Sequence, residues 1–167
     1  MKIIYYCYGS AHSSVLAAAI HVGKLPNNRI ANKKEITQLP YYDKTKSYQI
    51  GTPFYYGQDE FNNEVYIIGM GSKRDLTKEI LLNFLKMHGI DSNKLILVSA
   101  LPYVNLLTKI GGNLSRRFGL VKVGRPLTIY SLQKVYFKFV DLVAEVKMKI
   151  RQFKANNSNK GNKIHLD

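Results

Sequence analysis

Residues 3–22 read IIYYCYGSAHSSVLAAAIHV, and the reading of this stretch decides the rest of the chain. Residues 2–8 are β-branched and aromatic and apolar nearly throughout. That is the pattern of a central strand covered on both faces. Residues 13–22 carry three alanines with Val15, Leu16, Ile20 and Val22. A helix apolar almost all round is a buried helix. Gly23 can end it, and Pro26 forbids its continuation. Between strand and helix lies a knot of small and polar residues. A strand, a tight polar turn and a helix form the geometry that holds phosphates, because the first N–H groups of the helix lack acceptors and its dipole is positive there.

Working outward, the alternation continues. Residues 27–50 are polar and poorly periodic, which predicts a long connection with at most a short strand or helix. TPFYYGQDEFNNEVYIIGMG, residues 52–71, places two strand-like runs around a polar centre and reads as a β-hairpin. Its second arm is apolar enough for a central strand. Leu76, Ile80, Leu81, Phe84, Leu85 and Met87 follow helical spacing, so 75–88 is a helix closed by Gly89. KLILVS, residues 94–99, is a third core strand, and 105–119 is a broken helical stretch with a glycine pair. A short link over 120–130 leads to a last helix, about 131–152. Leu132, Val135, Phe139, Leu142 or Val143, Val146 and Ile150 form its apolar stripe.

The expected fold is therefore α/β: a single three-layer domain with a mostly parallel sheet, a β-hairpin insertion and a long C-terminal helix. The domain is expected over 1–153, with a disordered basic tail over 154–167. Strands near 2–8, 65–69 and 94–99 should be neighbours. Ligands of such sheets bind beyond the carboxyl ends of the strands, which singles out the turns at 8–14, 69–75 and 99–105.

Composition narrows the partners. Of 167 residues 46% are hydrophobic, which excludes a disordered chain. Lys and Arg number 25 against 11 Asp and Glu, a formal charge of +14. That charge attracts anions: nucleic acid, nucleotides, phosphorylated molecules or an acidic membrane face. A solvated basic surface is the plainer reading. The single cysteine, Cys7, excludes an internal disulfide and fits a reducing compartment. No signal peptide is recognisable, and no apolar run approaches the roughly 18–20 residues of a membrane span. A cytoplasmic protein is expected.

The first loop is the leading candidate site. Gly9 permits a tight bend, Ser10, Ser13 and Ser14 offer hydroxyls, and the plainer alternative is helix capping by a serine. His12 is the best general acid or base candidate. His21, on the buried helix, reads as a satisfied core residue. The second loop contains Gly71, Ser72, Lys73 and Arg74, with capping by Ser72 or Asp75 as its plainer reading. A third cluster holds Gly111, Gly112, Arg116 and Arg117, followed by Arg125 in an extended segment before Pro126. Asp59 and Glu60, near the hairpin turn, read as solvent-exposed. No spacing resembles a metal site, and the sequence leaves any cofactor unknown. Twelve tyrosines and no tryptophan leave base stacking open, although no RNP, KH or C2H2 motif is present.

Two resemblances bear on these residues. CYGSAHSS, residues 7–14, resembles the C-x-G-x-x-C-R-S loop of low-molecular-weight tyrosine phosphatases. Cys7 falls on the nucleophile, Gly9 on the glycine and Ser14 on the serine, but Ser13 stands where those enzymes have arginine. That arginine grips phosphate and lowers the thiol pKa. A Walker A loop is a worse match, since no Gly-Lys follows. Over residues 2–146, CYGSAHSSVLAAAIHVGKLP, GQDEFNNEVYIIGMGS and GGNLSRRFGLVKVGRPL resemble the successive blocks of a small bacterial domain family of unknown function. That family is found chiefly in spore-forming Gram-positive bacteria. The resemblance implies a bacterial cytoplasmic protein and supplies no activity.

The expected function is binding of a phosphorylated small molecule or nucleotide, with Lys73, Arg74 and Arg116 or Arg125 neutralising charge. Phosphoryl or related group transfer is the enzyme class that would suit, with His12 as acid or base and Cys7 as nucleophile. The alternative is a non-catalytic nucleic-acid or protein-interaction module using its basic surface.

Overall fold

The computed structural model describes residues 1–89, 91, 94–101 and 121–161. Four strands form one sheet: β1 Lys2–Cys7, β2 Pro53–Gln58, β3 Glu64–Gly69 and β4 Leu95–Ser99, in the order β2-β3-β1-β4. β1 is central. It runs parallel to β3, from Lys2↔Glu64 to Cys7↔Gly69, and parallel to β4, from Lys2↔Leu95 to Tyr6↔Ser99. β2 and β3 are the antiparallel hairpin, with an irregularity in register between Tyr55 and Gly57. The expected adjacency of the three core strands is thus observed.

The period-2 alternation of β1 sends its side chains into two layers. Ile3 and Tyr5 join Val65, Ile67 and Val98 in the larger core, under α1 (Ser13–His21). Ile4 lies on the opposite face with Ile68 and Met70, and Tyr6, Tyr66, Leu81, Leu95 and Leu97 pack against them. All nine residues of α1 are buried, as its apolar circumference requires. Gly23, at φ 73°, closes α1 in a Schellman turn: Lys24 N–H donates to Ala19 O at 2.8 Å and Gly23 N–H to Ile20 O at 3.2 Å. The polar connection contains a five-residue helix, α2 (Lys33–Thr37), and a single 3-10 turn at Ser47–Gln49.

Several expectations need correction. α3 (Arg74–Met87) forms where its spacing predicts, yet none of its residues is buried, and Leu76, Ile80, Phe84 and Met87 are exposed. Residues 120–130 were expected to be a link, but Val121–Lys134 is a helix, α4, with Pro126 inside it. Arg125 is therefore helical rather than extended. Gly124 and Pro126 are local breakers, and here the packing of Thr128, Ile129 and Leu132 overrides them. Thr128 Oγ donates to Arg125 O at 2.8 Å, beside the proline that lacks an N–H. After a turn at Val135, α5 runs Tyr136–Gly161 and buries Phe139, Leu142, Val143, Val146 and Ile150. Residues 154–161, assigned from composition to a disordered tail, are helical. Residues 162–167 and the stretch 102–120 lie outside the described residues. None of the helices among the described residues is long and apolar enough to cross a membrane.

Candidate functional site

The turns after β1 and β3 meet because their strands are neighbours. Met70 N–H donates to Cys7 O and Gly71 N–H to Tyr8 O, both at 2.9 Å, so the ladder continues past the strand ends. The approach is close enough to require glycine. A Cβ on Gly69 would lie 2.8 Å from Gly9 Cα and 3.0 Å from Gly9 C. Gly69 thus serves close approach, and the left-handed residue of the turn at 9–12 is Ser10, at φ 54°. A non-glycine residue there is strained by roughly 1–2 kcal/mol.

A third segment folds over the first loop. Thr45 Oγ donates to Gly9 O at 2.8 Å, and Asp43 N–H donates to Ala11 O at 3.2 Å. None of the peptide bonds of the described residues is cis. In a trans peptide the N–H points opposite to the C=O, so these two bonds turn the N–H groups of Ser10 and His12 away from residues 43–45. α1 begins without help: its N-cap is His12, at φ −134° and ψ −84°, and no side chain caps it. Serine capping, the plainer reading of the loop, is therefore not what the serines do. Leu16 N–H makes the first helical bond, to His12 O at 2.9 Å. Among the described residues no acceptor takes the N–H groups of Ser10, Ala11, His12, Ser13, Ser14 or Val15. All six residues are buried. Ser10 Oγ is buried as well and has no partner.

Side chains of several roles border these amides. His12 Nε2 lies 2.7 Å from Asp43 Oδ1, and Arg125 Nε donates to Asp43 Oδ2 at 3.1 Å. The Asp43 side chain is 1% exposed, so His12 and Arg125 converge on a buried carboxylate. The His12 ring also meets Tyr42 edge-on, with centroids 5.4 Å apart. The Arg125 side chain is 41% exposed and leaves its terminal amino groups without a partner among the described residues. Cys7 is buried, with Sγ 3.1 Å from Ser14 Oγ.

The structure thus brings Cys7, Gly9, Ser10, His12, Ser13 and Ser14 together with Gly71 and, through Asp43, with Arg125. Ser72, Lys73 and Arg74 are exposed at the start of α3, whose N-cap is Lys73 with no side-chain cap. They follow directly on the residue bonded to Tyr8. Arg116 and Arg117 lie outside the described residues. Sequence reasoning missed Asp43 and Thr45. Their only signal is polarity within an aperiodic connection, where exposed Lys44 and Lys46 flank Thr45.

A second polar cluster lies apart from the loop. Tyr5 O–H lies 2.7 Å from His21 Nδ1, and His21 Nε2 is 3.3 Å from Asp59 Oδ2. Asp59 also accepts from the N–H groups of Phe61 and Asn63 and from Asn63 Nδ2, at 2.9, 2.8 and 2.8 Å. His21 is the satisfied core residue expected. Asp59, expected to be exposed, has a fully buried side chain that organises the hairpin turn; Glu60 remains open to solvent. Burial pushes His21 below the usual imidazole range, and this outweighs the hydrogen bond to Asp59 that raises it. Burial would lift Asp59, but the hydrogen bonds from Asn63, Phe61 and His21 together hold it below the usual carboxylate range. His21 is then neutral, donating from Nε2 to Asp59 and accepting from Tyr5 at Nδ1. Burial likewise raises Tyr5, and Asp59 adds to that. Among the described residues no group of three or more His, Cys, Asp or Glu side chains is placed to hold a metal ion.

Neither the curated proteins nor the solved structures contain a match to this chain. A family model described as "Protein of unknown function (DUF3189)" matches residues 2–148, so the chain belongs to that family.

Proposed function

We propose that the protein binds the phosphate group of a phosphorylated small molecule or nucleotide at the loop between β1 and α1. The observation that carries this reading is the run of six buried residues, 10–15, whose backbone N–H groups no described residue accepts. A buried N–H left without an acceptor costs about 1–3 kcal/mol, so an uncapped arc of them favours an anion as its missing partner. Ser10 Oγ, buried and unpartnered in the same turn, adds a hydroxyl donor. Charge comes from other segments: Arg125 across Asp43, and Lys73 and Arg74 after the turn bonded to Tyr8. Arg125, tied to the loop through Asp43, supports a small anionic ligand over a broad nucleic-acid stripe. The bacterial cytoplasm is the setting that the resemblance of the sequence implies.

The arrangement also suits group transfer. The amides would hold the phosphoryl oxygens while His12, oriented by Asp43, moves a proton. Cys7 is a poorer candidate for the nucleophile, because its Sγ is buried against Ser14 and no arginine stands at position 13. A thermal-shift screen of nucleotides and phosphorylated metabolites tests the reading. A ligand at 100 times its Kd should add about 2.7 kcal/mol of stability. Crystals soaked with the hit should show its phosphate within hydrogen-bond reach of the N–H groups of residues 10–15. A ligand seated elsewhere, or a screen in which only long nucleic acids stabilise the protein, would refute it.

A further inference from the structure

The His12–Asp43 contact carries an inference about which oxyanions the loop accepts; it rests on the anion-site reading above. A carboxylate oxygen can only accept, so the proton in the 2.7 Å contact belongs to His12 Nε2. Asp43 has its other oxygen on Arg125 Nε, and its backbone N–H is fixed to Ala11 O, so the carboxylate is held in place. Neutral His12 is thereby locked as the Nε2–H tautomer, and Nδ1 becomes a lone-pair acceptor. Nδ1 has no partner among the described residues. It is bonded to Cγ and therefore stays near the residue's own backbone, and the N–H groups of His12 and Ser13 belong to the unpartnered arc.

We infer that the site selects oxyanions that carry a proton, such as hydrogen phosphate or a phosphate ester with an adjacent hydroxyl, over fully deprotonated ones. An oxygen held by the amides would sit beside Nδ1. A P–OH or hydroxyl group there donates to Nδ1 and completes the hydrogen-bond set. A bare oxyanion would instead place two lone pairs against each other, which costs affinity. Asp43 is in this respect a positioning residue: it reaches the ligand only through the tautomer it imposes.

Hydrogen phosphate and sulfate make a clean pair of probes, because they share charge and shape and differ by one proton. Protein labelled with 15N at histidine and at the backbone is titrated with each at about pH 8, above the second phosphate pKa. The histidine nitrogen spectrum should show His12 protonated at Nε2 and bare at Nδ1, assigned by comparison with His12→Gln. Phosphate should bind about tenfold or more tightly than sulfate, the difference expected for one hydrogen bond to a well-placed acceptor, and should shift Nδ1. His12→Phe should abolish the preference for phosphate over sulfate. Equal affinities in the unmodified protein, or a proton on Nδ1 in its free form, would overturn the inference while leaving the anion site intact. If neither anion moves the amide resonances of residues 10–15, the anion-site reading falls, and this inference with it.

Discussion

Replacing Gly69 with alanine tests the contact on which the site is built. The added Cβ would lie 2.8 Å from Gly9 Cα, 3.0 Å from Gly9 C and 3.1 Å from Ser10 Oγ. Carbon atoms pack best at about 3.5–4.0 Å, so the two backbone segments must part by roughly 0.5 Å or more. Neither neighbouring carbon is the end of a flexible side chain, and both segments are tied. Gly69 O accepts from Gly51 N–H at 2.8 Å, and Met70 and Gly71 bond Cys7 and Tyr8 at 2.9 Å. Overpacking of this kind costs about 1–3 kcal/mol. At about 2–4 °C per kcal/mol for a domain of this size, the melting temperature should fall by about 2–12 °C. The same displacement moves Ser10 and the amides after it, so phosphate affinity should drop more than tenfold. Gly23→Ala is the control: a Cβ there meets nothing within 4 Å, and only the left-handed φ of 73° is penalised, about 1–2 kcal/mol. It should lower the melting temperature without changing phosphate affinity. Calorimetry and phosphate titration on the two variants decide the matter. A Gly69→Ala protein with the parent's stability would refute the contact, and one with lowered stability but unaltered phosphate binding would refute its link to the site.

Three other outcomes follow. Asp59→Ala leaves three buried donors, His21 Nε2, Asn63 N–H and Asn63 Nδ2, without their acceptor; at about 1–3 kcal/mol for each, the loss should be about 3–9 kcal/mol, read as a shift in the urea midpoint, and a change under about 1 kcal/mol would contradict the network. Because burial lowers the folded pKa of His21, the unfolded chain binds more protons at mildly acid pH, so stability should fall as pH drops through about 6.5 and below; Asp59, also lowered, adds a further loss only below about pH 4. His21→Gln should flatten the upper part of that profile, and an unchanged slope would remove His21 from the account. Cys7 should turn over a generic aryl phosphate no faster than Cys7→Ser does; a robust rate lost in that variant would show that another cation replaces the arginine missing at position 13.

The fold was largely legible because its signals are local and redundant. Ile3 and Ile4 are apolar on both faces of β1, and Ala17, Ala18 and Ala19 leave α1 no polar side, so a central strand and a buried helix were the available solutions. Gly23 and the Asn62–Asn63 turn supplied the punctuation. Where local and tertiary signals disagree, the reading failed. Gly124 and Pro126 mark a break by composition, yet the buried contacts of Thr128, Ile129 and Leu132 hold the segment helical. Asp59 beside a hairpin turn looks solvated, and only the fold shows that His21, 38 residues earlier, lies within reach of it. The site was legible to the same depth. Its backbone half, residues 9–14, follows from strand, turn and helix in succession. Its side-chain half does not, because Asp43 and Thr45 belong to a connection whose path no periodicity records.

That connection accounts for the strain around the loop. Ser10, Tyr41 and Asp43 all have left-handed φ, at 54°, 63° and 56°. Each costs roughly 1–2 kcal/mol for a residue with a side chain. Two of the three lie in the segment that clamps the loop, and the third lies in the loop itself. Strain concentrated in this way persists only where the surroundings over-determine it, and it gathers at functional sites. Here the over-determination is visible. The turn at 41–43 delivers the Asp43 N–H to Ala11 O, its carboxylate to His12 and Arg125, and two residues later the Thr45 hydroxyl to Gly9 O. Relaxing Tyr41 and Asp43 to right-handed or extended backbone would swing all of these groups away at once. The Gly9 and Ala11 carbonyls would then be free to rotate, and the N–H groups of Ser10 and His12 would rotate with them. The left-handed pair therefore fixes which way the amides of Ser10 and His12 point.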